Sequence, residues 1–239
     1  MAMNKDTYSH HISQQFNDEL EAVKSRLLAM GGQAEKQLSD AITALIEADS
    51  ALADLVCEKD RSVNRMEVDI DEECRRILAR RQPAASDLRL VMAISKATTD
   101  IERVGDESKR IARLAIQLSE TGEAPKGYVE VRHISEKVRQ MMHQALDAFA
   151  RFDVGLALEV AKADKDVDVE YATAIRELIT YMMEDPRSIG RVMHVIWALR
   201  SLERVGDHAR NIAEQIIYLV KGTDVRHISY EQMEEKAQS

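Results

Sequence analysis

Apolar residues recur at every third or fourth position along nearly the whole chain: Leu20, Val23, Leu27, then Leu38, Ile42, Leu45, then Leu52, Leu55, Val56, Val63, Met66, Ile70, Ile77. A period near 3.6 residues lays such side chains along one stripe of an α-helix, whereas a half-buried strand would alternate. Capping residues or helix breakers interrupt the pattern at Ala48-Asp49-Ser50, Gln82-Pro83-Ala84, Gly122 to Gly127, Phe152-Asp153, Asp185-Pro186 and Gly222. Six helices are predicted, at about 10 to 47, 50 to 81, 86 to 121, 127 to 151, 154 to 184 and 187 to 221. Residues 223–239 read as a polar, frayed tail.

The order of breaks in the first half returns in the second. At an offset of 104, Ala34, Leu38, Ala41, Ile42 and Leu45 fall on Val138, Met142, Ala145, Leu146 and Phe149, and Asp49, Leu52, Val56, Asp60 and Val63 fall on Asp153, Leu156, Val160, Asp164 and Val167. Pro83 and Pro186 stand 103 apart, and Glu102-Arg103-Val104-Gly105-Asp106 recurs as Glu203-Arg204-Val205-Gly206-Asp207 at 101. Three helices have been duplicated. Short connections force sequential helices to run antiparallel. The expected fold is therefore all-α, two tandem, pseudo-symmetric three-helix bundles built from six long antiparallel helices, with repeats over 1–123 and 124–222 ahead of the 223–239 tail.

Composition narrows the class further. Only 3 Pro and 9 Gly in 239 residues, with 4% aromatics, exclude a turn-rich all-β fold. A net charge of -9, divided -5 over residues 1–121 and -4 over the remainder, supplies no basic face for nucleic acid. Cys57 and Cys74 lie 17 residues apart on one predicted helix, roughly 25 Å at 1.5 Å per residue, too far to bridge. The N-terminal MAMNKDTYSHHISQQF has no basic head followed by an apolar run, and no later stretch reaches the length of a membrane span. The expected location is the cytoplasm, with membranes met only through partners. Phosphate loops, dinucleotide fingerprints and nucleophile elbows are absent, so the machinery of nucleotide hydrolysis and acyl transfer is not encoded.

Helix 3 carries one apolar stripe, Leu90, Ile94, Ala97, Ile101, Val104, Ile111, Ala115 and Leu118, with Glu102 and Asp106 about 150° away from it. Helix 6 repeats this, with Glu203, Asp207 and Glu214 predicted to point outward. Acids at i, i+4 repel by a few tenths of a kcal/mol. A hard cation that prefers carboxylate oxygen would offset the repulsion, and so would Arg103, Arg110 or Arg204. The hairpin between helices 2 and 3 sets Glu102 and Asp106 level with Asp60 and Asn64, and that between helices 5 and 6 sets Glu203 and Asp207 level with Asp164 and Asp168. Each half thus offers two oxygen-bearing i, i+4 pairs on adjacent helices, suited to an all-oxygen octahedral shell. Asn64 stands where the second half has an acid, which makes the first half the poorer in anionic ligands.

The chain resembles the PhoU family of bacterial phosphate-signalling regulators from about residue 10 to 221. The duplicated unit carries the resemblance, with the Gln82-Pro83 turn before Asp87-Leu88-Arg89, Asp100 through Asp106, and Leu202 through Ala213. It implies iron, zinc, magnesium or manganese at Glu102, Asp106, Glu203 and Asp207, with Asp164 and Asp168 facing the second pair. It also implies a non-enzymatic homodimer or larger assembly that restrains the phosphate-starvation response, mediating between the cytoplasmic ATPase of a phosphate ABC transporter and a membrane sensor histidine kinase. The second half has Arg187-Ser188-Ile189-Gly190 after its proline in place of Asp-Leu-Arg. A carboxylate-bridged metal bundle with a storage or enzymatic role is the alternative. Glu130 and His133 form a single ExxH element, short of the two facing pairs that a di-iron core needs. His208 adjoins Asp207, within reach of a neighbouring metal, but reads first as a solvated residue, and Trp197, Met141-Met142 and Met182-Met183 read as core or interface packing.

Overall fold

The computed structural model describes residues 14–120 and 129–238. Its helices are α1 (Gln14–Glu47), α2 (Ser50–Arg81), α3 (Ala85–Glu120), α4 (Val129–Arg151), α5 (Val154–Glu184), α6 (Ile189–Lys221) and α7 (Tyr230–Gln238), with a 3-10 turn over Pro186–Ser188. The predicted break at Gly122 to Gly127, the repeat boundary at 123 and the first residues of helix 1 lie outside the described residues. Among those described there is no strand, and no helix is long and apolar enough to cross a membrane.

The corner between the first two helices of each repeat is the same device twice. Asp49 accepts a bond from the Leu52 amide at 2.9 Å and Asp153 from the Leu156 amide at 3.0 Å. Ala48 and Phe152, immediately before them, take left-handed backbone angles of φ 54° and 56°. Each cap satisfies an amide that the first turn of a helix leaves open, worth about 1 kcal/mol.

The two repeats meet along α3 and α6, which share the most extensive helix contact in the molecule. Arg89 Nε donates to the Leu219 carbonyl at 3.2 Å, Asp100 meets His208 and Asn211, and Glu107 meets Arg204. The numbers of these partners rise on one helix as they fall on the other, so α3 and α6 run antiparallel. Because residues 101 apart are equivalent, this crossing has a pseudo-twofold axis near Val104 and Val205. Gly31 against Leu146 and Glu35 against His143 give α1 and α4 the same antiparallel relation.

Helix α3 is therefore covered on three sides, by α1, α2 and α6. Its remaining face carries Leu88, Met92, Arg103, Asp106, Arg110 and Arg113, all exposed. The buried apolar residues of both repeats form one continuous core.

The C-terminal segment is not frayed. Val225, Met233 and Ala237 are buried, and Lys165 Nζ holds Glu231 Oε1 at 3.0 Å, docking α7 on α5. Met233 and Ala237 are one helical turn apart, an apolar pair too sparse to stand out in a polar segment.

Candidate functional site

Glycine within the repeated Glu-Arg-Val-Gly-Asp motif faces the neighbouring acid-bearing helix with room for no more than a methyl group in ordinary contact. A Cβ on Gly105 would stand 3.4 Å from Val63 Cγ1 and 3.7 Å from Asp60 Oδ1, and one on Gly206 would stand 3.5 Å from Asp164 Oδ1. Asp60 and Asp164 thus lie directly across the glycine of the neighbouring helix. Both are buried, at 1% and 2% exposure. Each needs a counter-charge there. Lys109 Nζ reaches Asp60 Oδ2 at 2.7 Å, and Arg210 Nη1 reaches Asp164 Oδ2 at 3.1 Å. Lys109 and Arg210 are themselves equivalent positions, so the ion pair is duplicated with the fold. Gln37 Nε2 adds a bond to Asp60 Oδ1 at 3.2 Å in the first repeat, where the second has Met141.

Beside these buried acids stand the remaining carboxylates. In the second cluster Glu203 is only 9% exposed, contrary to the outward orientation expected of it, and Glu214 is buried too. A single apolar stripe does not describe α6, which is packed by α3, α4 and α5 at once. Asp207 and Asp168 are exposed, as is Asp106, while Glu102 and Asn64 are half-buried. Burial, then Asp207, Asp168 and Asp164, push the Glu203 carboxyl up to about 7, against the opposing pull of Arg200. Burial, then Asp106, Glu67 and Asp60, do the same to Glu102, also to about 7, with Arg103 opposing. Asp164 is lifted by burial to about 6 even with Arg210 bonded to it. Asp207 is raised by burial and Asp168.

Glu67 is a member of the first cluster that the sequence reading missed. Its carboxyl is raised by burial and by Asp71 and Asp106. It lies three residues beyond Asn64 on the same helix, a signal available to a search at i, i+3 as well as i, i+4. Its counterpart in the second repeat is Tyr171, so each half has one acid that the other lacks: Glu67 in the first and Asp168 in the second.

Arginine relief is partial. Arg200 Nη1 bonds Glu203 Oε1 at 2.7 Å, but Glu203 Oε2 is buried with no hydrogen-bond partner, as is Asn64 Oδ1. Arg110 and Arg204 pair with Glu107 instead, at 3.3 and 2.6 Å. Among the described residues, no three His, Cys, Asp or Glu side chains stand around a common point as a metal site. The carboxylates converge on two patches without closing a shell in this side-chain arrangement.

Of the other singled-out residues, His208 is buried, not solvated, its Nδ1 3.0 Å from Asp100 Oδ1, which Asn211 also contacts at 3.0 Å. It belongs to the crossing between repeats. His133 is exposed, and Trp197 is 48% exposed with His194 against its ring. Met141 and Met142 are core residues, while Met183 lies on the surface.

Fold and site together define a tandem helical-bundle protein whose titratable groups gather at the surface of a pseudo-symmetric helix crossing. The PhoU domain model matches the chain twice, over residues 27–115 and 131–216, and the chain belongs to the PhoU family. A Pseudomonas putida protein, named phosphate-specific transport system accessory protein PhoU homolog, is 67% identical over 99% of this chain and 92% of its own length. The Escherichia coli K12 protein, named phosphate-specific transport system accessory protein PhoU, is 47% identical over 97% of this chain and 96% of its own. The crystal structure of PhoU from Pseudomonas aeruginosa superposes with a TM-score of 0.85 at 68% identity, covering 87% of this chain and 100% of that one. The phosphate transport system regulatory protein PhoU from Streptococcus pneumoniae gives 0.81 at 30% identity, over 88% and 99%.

Proposed function

We propose that the chain is a cytoplasmic, non-enzymatic accessory protein of phosphate-specific transport that restrains the phosphate-starvation response. The observation that carries this reading is the near end-to-end similarity to accessory proteins of that system. It acts by contact, as a homodimer or larger, between the ATPase of a phosphate ABC transporter and a sensor histidine kinase. The acidic surface and the lack of a basic helix suited to a major groove accord with protein partners rather than DNA. A deletion strain carrying a starvation-gene reporter is expected to be bright in phosphate-rich medium and dark again when the kinase is also deleted. Brightness that persists without the kinase refutes the route through it. A tagged copy recovered from phosphate-replete cells brings down the ATPase or the kinase; recovery of neither refutes the contacts.

The carboxylate clusters fit a hard divalent cation, magnesium or manganese before zinc or iron, because every donor is oxygen. Glu203, Asp207, Asp164 and Asp168 would hold it in the second repeat, and Glu102, Asp106, Asp60, Asn64 and Glu67 in the first. The partnerless Glu203 Oε2 and Asn64 Oδ1 support this reading. Side-chain rotation is needed to close either shell. Placement at a surface, on two helices per cluster, favours a structural or regulatory cation over storage or catalysis, which need a core enclosed by four helices.

A further inference from the structure

The pseudo-twofold relation between the repeats is broken at one end of the α3–α6 crossing. In the second repeat Glu214 is buried and feels His227 of the C-terminal segment, while α7 docks beside it on α5 through Lys165 and Glu231. The position equivalent to Glu214 in the first repeat is Arg113. A cavity of about 400 Å³ opens there, lined by Arg103, Lys109, Arg110, Arg113 and Arg204 together with Glu102, Asp106 and Glu107.

The charges are not a chance mixture. Glu107 is buried and clamped by Arg204 Nη1 at 2.6 Å and Arg110 Nη1 at 3.3 Å, so it orients two guanidinium groups at the wall. Lys109 is held by Asp60. Arg103 and Arg113 are exposed and form no ion pair among the described residues, leaving two forked donor sets free. At the related positions of the second repeat, Arg110 becomes Asn211, Arg113 becomes Glu214 and Glu107 becomes His208. The cationic end is thus a property of the first repeat alone. Planar guanidinium groups converging from two helices match a tetrahedral oxyanion with several acceptor oxygens.

We propose that this cavity binds a phosphate-class oxyanion, either inorganic phosphate or the phosphoryl group of a larger molecule, with Arg103 and Arg113 as the engaging side chains and the Glu107-oriented Arg110 and Arg204 at the wall. The proposal rests on the cavity and its lining, not on the transport reading, which stands or falls by the reporter strain. Isothermal titration of the full chain, in chelator and at fixed ionic strength, uses sodium phosphate, sodium sulfate and adenosine diphosphate in separate arms. Saturable binding of phosphate or of the nucleotide is expected, weakened about ten-fold or more in Arg103→Ala/Arg113→Ala, with the tighter arm identifying the source. Arg103→Lys/Arg113→Lys should recover part of the affinity, and unchanged circular dichroism of both variants shows that the fold is kept. No saturable binding in the phosphate and nucleotide arms, or the same affinity in the alanine double variant, overturns the proposal.

Discussion

Glu203→Gln is expected to stabilise the metal-free protein at pH 8 and to leave it unchanged near pH 4. In the fold this carboxyl sits at about 7, against an ordinary 4.5, because it is buried beside Asp207, Asp168 and Asp164 with only Arg200 to oppose them. Between those two values the folded chain holds the proton more often than the unfolded one. Stability therefore falls as pH rises across that window: the carboxyl's contribution is complete below about pH 4.5 and lost above about 7. At 1.36 kcal/mol for each pH unit the difference is about 3 kcal/mol. Part of the cluster faces water, and solvent screening reduces the effect to about 1–2 kcal/mol. Glutamine keeps an acceptor for the Arg200 guanidinium and removes the charge. Thermal melts in chelator at pH 4.5, 6, 7 and 8 read the difference between variant and parent, at about 2–4 °C per kcal/mol for a chain of this size. The two curves should coincide at the acid end and separate with the variant higher at the alkaline end. A variant that melts at or below the parent at pH 8 refutes the reasoning, since it would mean that Arg200 outweighs three carboxylates. With magnesium or manganese added the order should invert, the parent gaining stability with rising pH and the variant gaining less; equal gains would detach Glu203 from cation binding.

Leu202→Ala, in the core beside the second cluster, should cost about 2–5 kcal/mol in denaturant unfolding, whereas Asp106→Asn on the exposed face should change stability by about 0.5 kcal/mol or less. Gly206→Ala should stabilise by about 0.5–1 kcal/mol, because helix propensity favours alanine and its Cβ would stand in ordinary contact, 3.5 Å from both Asp164 Oδ1 and Met141 Cε; a lower melting temperature would show a tighter helix approach than this. Asp100→Ala should cost about 1–3 kcal/mol by leaving His208 and Asn211 without their shared acceptor, and an unchanged unfolding midpoint would remove that network from the cement between repeats.

The helices, their corners and the duplication were legible because each rests on local chemistry: a 3.6-residue period, an aspartate cap, a proline after a helix end. The level pairing was legible too, since an antiparallel hairpin fixes which numbers face each other; Ser95 bonding Asp71 at 2.9 Å shows the register that set Glu102 and Asp106 against the middle of α2. The crossing of α3 on α6 was not. Its partners are Asp100, Glu107, Arg204 and His208, polar residues that a stripe-counting argument assigns to water, and only the other repeat turns that polar face into an interior. Glu203 and Glu214 appear exposed for another reason: the groups they feel across the packing are Asp164 and Asp168 on α5 and His227 of the C-terminal segment, which a single covering stripe leaves out. The docking of α7 was hidden because three apolar residues in a polar segment carry little periodic signal. The regulatory role proposed for the chain has no counterpart in the periodicity; the resemblance carried by the repeated Glu-Arg-Val-Gly-Asp motif implies it.

A twofold axis leaves directions along itself unchanged, and this has a consequence for the two carboxylate clusters. The axis passes between α3 and α6 near Val104 and Val205. Helices α1 and α4 meet on one side of that crossing, which buries it. The opposite side is the open face of Arg103, Asp106 and their counterparts Arg204 and Asp207. Both clusters therefore look out on one surface, on either flank of the arginine pair. Had α3 and α6 packed in parallel through a simple translation, no such axis would exist and nothing would oblige the two clusters to share a surface. Duplication of a three-helix unit, closed by an antiparallel crossing, thus turns two separate acidic patches into one bipartite surface. A single rigid partner resting there would meet both clusters at once, and a charge change in either would then alter the same contact.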